Sequence, residues 1–369
     1  MLDLNELLRH AAERRASDVH LSAGCRPWVR LDGEVANTPF DVIEASDTEH
    51  IVRSILPAER TDQLARAGEV DFGFTAPGGG RVRVRVFRQQ GTLGLVLRLV
   101  PAEIPGFDAL GLPAVVRRAA DEPRGLILVT GPAGSGRSTT VAAIVDHINE
   151  TSARHIVTVE DPIEFVHGPK RSFVTQREIG TDAPDLHSGL RGVLRLDPDV
   201  VVIGEASDRE SLRAALSAAA AGQLVITVFP ALSATEAVVR IVDLFPPQEQ
   251  RPLRSALAGS MRWVISQRLL ERVDGKGRIP AVEVLGSSTR AFEKIVNPDE
   301  THELEQVIAE GEYYGMQSFD QSLFSLHKNG LIGLRDALAA ASHPHDLRIV
   351  LQQAGLPIGS LDLAGATSW

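Results

Sequence analysis

The sequence GPAGSGRSTT at residues 131–140 decides the fold. It follows the apolar run GLILVT at 125–130 and matches the phosphate-binding pattern G-x-x-x-x-G-K-[ST] except at Arg137, which replaces the lysine. Glycines at these positions let backbone N–H groups turn towards phosphate oxygens, and the N-terminus of the next helix adds positive potential. The stretch therefore predicts a nucleotide-binding loop between a buried strand and a helix over 137–150.

Arg137 is the exception within this loop. Arginine is longer and planar where lysine presents a compact charge, so the exchange is not conservative at a shaped site. Losing one donor to the transition state typically lowers a rate by about 10²–10³-fold. Only four of the 38 basic residues are lysine, so a bias towards arginine along the whole chain accounts for part of the exchange. We expect Ser138 to hold Mg²⁺ beside the phosphates of ATP. The predicted nucleotide-binding residues are Gly131, Pro132, Ala133, Gly134, Ser135, Gly136, Arg137, Ser138 and Thr139.

Length, charge and cysteine content limit the possible functions. A chain of 369 residues is too long for one ordinary core, which predicts two domains. The formal net charge of −10 argues against a protein held to DNA or RNA by its overall field, so no nucleic acid partner is expected. Cys25 is the only cysteine, as is typical of a reducing compartment. Because there is no apolar signal region and no apolar run of about 20 residues, we expect a cytoplasmic protein.

The order of patterns along the chain predicts the domains. Residues 1–100 mix short helices and strands, which predicts an α+β N-terminal domain. PAEIPGFDALGLP at 101–113 is the predicted linker. Strands and helices alternate from 114 to 355, which predicts an α/β domain with a parallel sheet and crossover helices. Within it, residues 245–350 are predicted to be mostly helical, and 356–369 to be a flexible tail.

Local patterns add detail to the N-terminal region. A helix is predicted over 3–15 from apolar residues on one face, and another over 47–67 with Asp47 as its N-cap. Asp32-Gly33 lies between apolar alternations and predicts a hairpin turn. The alternating runs VDFGFTA and RVRVRVFRQ flank the glycine-rich APGGG, which predicts a second hairpin.

Acidic side chains end two further strand-like runs. Glu205 ends DPDVVVIGE, and at the carboxyl end of a strand it lies where parallel sheets place ligand chemistry. There it can polarise the attacking water or hold Mg²⁺. Glu160, Asp161 and Glu164 lie in VEDPIEF, where carboxylates suit the same two roles. A structural alternative stays open, in which Asp161 is a helix N-cap with proline in the first turn.

These motifs, in this order, resemble those of the bacterial ATPases of type II secretion and type IV pili, and among these the PilT-like pilus retraction ATPases. The likeness extends over nearly the whole chain. ASDVHLSAG at 16–24 is similar to the N-terminal motif of that family, and VTVEDPIEFVH at 157–167 to its Asp box. DPDVVVIGE at 197–205 is similar to its Walker B strand, and GMQSFDQSL at 315–323 to a C-terminal motif.

The resemblance implies a PAS-like N-terminal domain, a RecA-like P-loop ATPase domain with a helical C-terminal part, and ATP with Mg²⁺ as cofactors. It implies a hexamer, as a ring of one chain or mixed with a related ATPase, and a pilus inner-membrane platform protein as partner. The site of action would be the cytoplasmic face of the membrane, with peripheral association only. It also implies that Arg83 and Arg98 reach the phosphates, whereas a solvated basic face explains the same RVRVRV alternation. The residues expected to carry catalysis are Glu205, Glu160, Arg83 and Arg98.

Several positions depart from the family pattern at the expected chemistry. A bias towards arginine explains Arg137 but not the others, whereas relaxed selection on turnover explains them all. We therefore expect a nucleotide-binding ATPase homologue with reduced ATP hydrolysis. The alternatives are a catalytically inactive regulatory or structural subunit that assembles with an active motor, and a P-loop protein acting on nucleic acid, which the net charge disfavours. The departing residues are Gly91, Arg137, Ser207, Gln223 and Pro230.

Overall fold

The computed structural model describes residues 2–31, 33–77, 80–100 and 103–356. The strands are β1 Asp18–Leu21, β2 Trp28–Leu31, β3 Glu34–Asn37, β4 Glu69–Thr75, β5 Arg81–Gln89, β6 Thr92–Leu99, β7 Gly125–Thr130, β8 His155–Glu160, β9 Phe173–Glu178, β10 Val200–Ile203, β11 Leu224–Phe229, β12 Met261–Glu271 and β13 Arg278–Gly286. The helices are α1 Leu4–Glu13, α2 Ala45–Ile55, α3 Thr61–Ala67, α4 Phe107–Leu110, α5 Ala114–Ala120, α6 Arg137–Thr151, α7 Leu186–Val193, α8 Arg209–Ala221, α9 Ala234–Asp243, α10 Pro247–Ser260, α11 Thr289–Val296, α12 Leu304–Ala309, α13 Phe319–Lys328, α14 Leu334–Ala340 and α15 Pro344–Gln353. No helix in the described ranges combines the length and apolar composition that crossing a bilayer requires.

The first sheet has six strands in the order β3-β2-β1-β6-β5-β4, and all neighbouring pairs are antiparallel. Alternation along β5 separates its two faces, because Val82, Val84 and Val86 are buried while the arginines between them lie on the other face. These valines share one core cluster with Leu7 of α1 and Ile51 of α2. The period-two pattern of the sequence therefore explains which face of the sheet the helices cover.

The second sheet has seven strands in the order β13-β12-β7-β11-β10-β8-β9. β12, β7, β11 and β10 are parallel neighbours, and β13 runs antiparallel to β12. β7, β10 and β11 are buried at every residue, as expected for apolar strands covered on both faces. Because the carboxyl ends of parallel strands meet at one edge, the segments after β7, β10 and β11 lie along the same edge of the sheet.

The chain forms two compact units. The first takes in Met1–Ile104 and Val157–Asp197, and the second takes in Pro105–Ile156 and Pro198–Trp369. The predicted division into functional domains at 101–113 stays a prediction. Pro101 and Ala102 of that linker, the predicted tail from residue 357 onwards, Asp32 of the predicted turn and two glycines of APGGG lie outside the described residues.

Several predicted elements are present, but one predicted helix is wrong. The predicted helix over 47–67 is interrupted, because α2 ends at Ile55 and α3 begins at Thr61. Pro57 lies between them, and a proline removes the N–H that a continuous helix needs. The N-cap of α2 is Glu44, and Asp47 completes a capping box three residues later.

Residues 245–350 are mostly helical, as predicted, but the prediction missed one pair of strands. They contain the antiparallel pair β12 and β13, with Ser266 opposite Glu283 and Glu271 opposite Arg278. Tertiary contacts decide this, because β12 is also paired in parallel with β7. The pair therefore extends the sheet beside the strand that leads into the loop at 131–140.

Candidate functional site

Three glycines shape the loop that follows β7. Gly131, Gly134 and Gly136 have φ values of 142°, 77° and 88°, which residues with a side chain rarely adopt. There is also no room for a side chain at Gly131, since an added Cβ would lie 2.5 Å from the carbonyl oxygen of Gln267 and 2.5 Å from Ser135 Oγ. The loop therefore needs glycine at 131 both for its backbone conformation and for its close approach to β12.

The loop leaves polar groups available where it enters α6. Gly136 precedes the helix in the left-handed conformation, and no side chain caps the first N–H groups of α6. Ser135 is 3% exposed, and its Oγ has no hydrogen-bond partner within the described ranges. The buried hydroxyl and the uncapped N–H groups of the helix can together donate hydrogen bonds to phosphate oxygens. Ser138 and Thr139 lie in the first turn of α6, so all the predicted binding residues belong to one continuous cradle.

Glu205 lies two residues beyond β10, at the same edge of the sheet as the loop. Ile203 is level with Thr227 of β11, and Thr227 is level with Leu128 of β7, so residue 205 is level with the end of β7. The distance from Arg137 Nη2 to Glu205 Oε2 is 3.9 Å, which is within ion-pair range but longer than a hydrogen bond. The structure thus brings the exchanged loop residue and the predicted catalytic carboxylate together.

Glu160, the last residue of β8, is held by hydrogen bonds inside the first unit. Its Oε1 accepts from Thr158 Oγ1 at 2.6 Å and from Gln176 Nε2 at 3.1 Å, and its Oε2 accepts from the Glu164 N–H at 3.4 Å. Burial raises the pKa of Glu160 above its ordinary value, and these hydrogen bonds lower it only in part. A raised pKa suits a general base working near neutral pH, and this role stays a prediction.

Asp161 is not a helix N-cap, because no helix begins there. The Asp161-Pro162 peptide is cis, and the chain from 161 to 164 is irregular. The Ile163 N–H, which an N-cap would engage, donates instead to Glu178 Oε2 at 3.0 Å. Burial raises the pKa of Asp161 above its ordinary value.

Arg83 and Arg98 face each other across β5 and β6, and each has a carboxylate partner in the first unit. Arg83 Nη1 donates to Glu164 Oε1 at 2.9 Å, and Arg98 Nε donates to Asp18 Oδ1 at 2.8 Å. Burial raises the pKa of Asp18, but hydrogen bonds from Arg98 and Ser17 outweigh it and hold that pKa below its ordinary value. That either arginine reaches a phosphate stays a prediction.

Gln223 and Pro230, which depart from the family pattern, lie at opposite ends of β11. Gln223 precedes the strand, and its carbonyl accepts from the Gly125 N–H at 3.0 Å, at the edge away from the loop. Pro230 follows Phe229, which is level with Thr130. A strand of this length separates the two positions by about 20 Å. Only Pro230 therefore lies at the loop edge of the second unit.

Gln223→His is expected to leave nucleotide affinity within about twofold of wild type, because the position is remote from the loop. Titration with a fluorescent ADP analogue measures this. Pro230→His, the same new side chain at the other end of β11, is the matched comparison. A tenfold change in affinity for Gln223→His would contradict the placement.

Glu178 is a buried polar residue that the sequence did not single out. It is 2% exposed, and it accepts from the Gly73 N–H at 3.2 Å, from the Ile163 N–H at 3.0 Å and from the guanidinium of Arg81. Its hydrogen bonds therefore connect the end of β9 to β4, to β5 and to the segment 161–164 that follows β8. The arginines of RVRVRV were the available indication that an acidic partner was needed.

The sequence also did not single out the residues of β12 that contact the end of β7 and the start of the loop. Thr130 Oγ1 donates to Ser266 Oγ at 2.8 Å, and the Gln267 carbonyl lies against Gly131. β12 and β13 were not predicted from the sequence, so these positions were not singled out. The run WVISQRLLE, followed by the turn sequence DGKG, was the indication of a hairpin in the sequence.

The sequence comparisons agree with this geometry. Residues 80–315 match the family described as Type II/IV secretion system protein. The chain is 39% identical over 345 residues to the type IV pilus retraction ATPase PilT of Pseudomonas aeruginosa, covering 94% of this chain and 100% of that protein. It is 36% identical over 341 residues to a twitching motility protein of Neisseria gonorrhoeae, covering 92% of this chain and 91% of that protein.

Solved structures give the same result. The crystal structure of the pilus retraction motor PilT with bound ADP matches with a TM-score of 0.86 and 41% identity, covering 95% of this chain and all of that one. The ATPase DotB of Legionella pneumophila matches with a TM-score of 0.79 at 24% identity, which shows a common fold. With its glycine cradle, its strand-end glutamate and these similarities, the chain belongs to the type II/IV secretion system protein family, as a PilT-like member.

Proposed function

We propose that this chain is an ATP-binding motor of the pilus-retraction type whose hydrolytic step is weakened. The observation that carries the proposal is the 3.9 Å contact of Arg137 with Glu205 at the phosphate cradle. Similarity to PilT, which has been solved with ADP, supports nucleotide binding and the retraction role.

The cradle suggests how nucleotide would be held. The backbone N–H groups from Gly134 to Thr139, together with Ser135 Oγ, would donate to the phosphates, and Ser138 would bind Mg²⁺. No group of three or more His, Cys, Asp or Glu side chains in the described chain could hold a metal ion. Phosphate oxygens and water would therefore complete the shell of the ion. Bound Mg²⁺ would neutralise charge that develops on the phosphates.

Two features of the loop edge weaken the expected hydrolysis. Glu205 would orient the attacking water, but the guanidinium of Arg137 lies near its carboxylate in place of a compact lysine charge directed at phosphate. Pro230, at the same edge, has neither a side-chain donor nor a backbone N–H. Since groups that act as one unit do not contribute additively, restoring one of them recovers only part of the rate.

Membership of the family supports a proposal for the assembly. We propose a hexameric ring, of this chain alone or mixed with a related ATPase, acting with a pilus platform protein at the cytoplasmic face of the membrane. Its first 100 residues would be the PAS-like domain, which the six-stranded antiparallel sheet supports. The RecA-like domain would carry the loop, supported by the parallel strands around β7.

Arg137→Lys tests the proposal. Wild-type kcat is expected to be about 10²-fold below that of PilT from Pseudomonas aeruginosa under the same conditions, and Arg137→Lys to raise it about tenfold. Steady-state phosphate release with Mg²⁺ and ATP measures both. Arg213→Lys, the same exchange at a surface residue paired with Glu249, is the control. Wild-type turnover equal to that of PilT would overturn the weakened step.

A regulatory or structural subunit is the second candidate, favoured by the same Arg137–Glu205 contact. It predicts nucleotide binding without turnover that Arg137→Lys does not rescue. It also predicts that adding the chain changes the hydrolysis rate of an active relative in a mixed ring. An Arg137→Lys variant that hydrolyses ATP by itself would contradict this alternative.

A further inference from the structure

Buried polar side chains cross three neighbouring strands of the second unit beneath the loop. Thr130 of β7 is level with Ser266 of β12, and Ser266 is opposite Glu283 of β13. Thr130 and Ser266 are fully buried, and Glu283 is 7% exposed. Polar groups in such a position are costly unless they are satisfied, so their hydrogen bonds have a structural consequence.

Ser266 lies between Thr130 and Glu283 on neighbouring strands of the sheet. Thr130 Oγ1 donates to Ser266 Oγ at 2.8 Å. Ser266 is directly opposite Glu283 on the adjacent strand, and a side-chain hydrogen bond from Ser266 lowers the pKa of that carboxyl. Glu283 Oε1 also accepts from the Ala234 N–H at 2.7 Å. Glu283 therefore lies next to two separate segments, opposite Ser266 on β12 and hydrogen-bonded to Ala234 of α9.

The first segment is the base of the phosphate loop. Thr130 is the last residue of β7 and directly precedes Gly131, whose conformation is fixed by close approach to Gln267. A shift of the Thr130 side chain therefore moves the residue at which the loop begins.

The second segment is the start of α9. Ala234 is the first residue of this helix, and its N–H is one of the groups that have no partner inside a helix. Glu283 supplies that partner, and a carboxylate near a helix N-terminus is also favoured by the helix dipole. The helix follows residues 230–233, which lie at the loop edge after β11.

We propose that Glu283 is a positioning residue of the nucleotide site, which fixes the base of the phosphate loop through Ser266 and Thr130 and fixes the start of α9 through Ala234. The loop and the segment at 230–233 are then held in register by one buried carboxylate. The inference rests on the proposed function only for the identity of the ligand, since the contacts of Thr130, Ser266, Glu283 and Ala234 exist without nucleotide.

The surroundings of Glu283 shift its pKa, so the pH dependence of unfolding can distinguish a positioning role from packing alone. Burial raises the pKa of Glu283 to about 7, with Glu305 of α12 acting in the same direction and the Ala234 N–H, Arg268 of β12 and Ser266 acting in the opposite direction. The folded pKa is above the ordinary value of 4.5, so the protonated form of Glu283 is favoured in the folded state. Its contribution to the free energy of unfolding is therefore fully present below about pH 4.5 and is lost as pH rises through about 7. Glu283→Gln removes this titration and keeps an acceptor for the Ala234 N–H.

Hydrogen exchange on the full chain, together with titration by a fluorescent ADP analogue at pH 6 and pH 8, tests the proposal. Glu283→Gln is expected to lower exchange protection at the loop base, to weaken ADP binding about five- to tenfold at pH 8 and to flatten the pH dependence of unfolding. Ser266→Ala is expected to lower protection at the loop base only, because the contact of Glu283 with Ala234 remains. Glu271→Gln, an exposed residue of the same hairpin, is the matched control and should change neither.

The outcomes separate the proposal from its alternatives. If Glu283→Gln loosens α9 but leaves the loop base and ADP affinity unchanged, the proposal is wrong. Uniform loss of protection throughout β12 and β13 would also overturn it, since that indicates a role in packing alone. If the wild-type chain binds no ADP, the proposed function fails, while the exchange pattern of Ser266→Ala still decides whether Glu283 positions the loop. Ser266→Ala also provides the test if Glu283→Gln does not fold.

Discussion

Gly131→Ala is expected to lower nucleotide affinity by about tenfold or more and to destabilise the second unit by about 3 kcal/mol. The added Cβ would lie 2.5 Å from the Gln267 carbonyl oxygen and 2.5 Å from Ser135 Oγ, and the φ of 142° disfavours any side chain. Because β12 is a sheet strand, its carbonyl cannot move without breaking ladder hydrogen bonds, so the loop itself must shift. Titration with a fluorescent ADP analogue and urea unfolding measure the two effects.

Gly134→Ala separates the two causes. Gly134 also has positive φ, but an added Cβ there would meet nothing within 4 Å. Its cost in unfolding free energy without nucleotide is expected to be about 1 kcal/mol, from the backbone conformation alone. Equal destabilisation by the two variants would show that close packing on β12 does not matter at Gly131.

Glu178→Ala is expected to destabilise the first unit by about 3–5 kcal/mol. The change leaves the guanidinium of Arg81, which is 16% exposed, without its carboxylate. It also leaves the N–H groups of Gly73 and Ile163 without an acceptor. Urea unfolding of the full chain, followed by circular dichroism, measures the loss. Glu178→Gln, which keeps an acceptor oxygen, should cost less than Glu178→Ala.

Glu69→Ala is the matched control for that prediction. Glu69 also pairs with an arginine of β5, but both partners are about half exposed, 55% for Glu69 and 53% for Arg85. Solvent screens such a pair, so the midpoint of unfolding should stay within error of the wild type. A loss as large as that of Glu178→Ala would mean that burial does not explain the importance of Glu178.

Strong local patterns predicted the loop and its neighbouring elements correctly. The glycine spacing predicted a strand, a phosphate loop and a helix, and these are β7, residues 131–136 and α6. The acid at the end of DPDVVVIGE predicted a carboxylate at the same sheet edge, and Glu205 lies there. In each case the requirement is local, because a left-handed glycine or an apolar run constrains its own segment.

Predictions failed where a distant segment decides the structure. Residues 261–286 form strands because β12 pairs with β7, more than 130 residues earlier in the chain. The family pattern placed Gln223 with the altered chemistry, but parallel register places it at the edge away from the loop. The sequence allowed Asp161 as an N-cap, but in the structure the Ile163 N–H, which a cap would accept from, donates to Glu178 instead.

The sequence by itself determined the phosphate cradle, the acid at the end of β10 and the family, since each depends on residues close together in the chain. Only the tertiary structure showed that Arg137 lies 3.9 Å from Glu205 and that Glu283 accepts from the Ala234 N–H at the start of α9. These contacts depend on strand order and register, which set the residues that are level across a sheet. A single strand carries no information about its neighbours, so the chemistry of the site was decided by the pairing of strands.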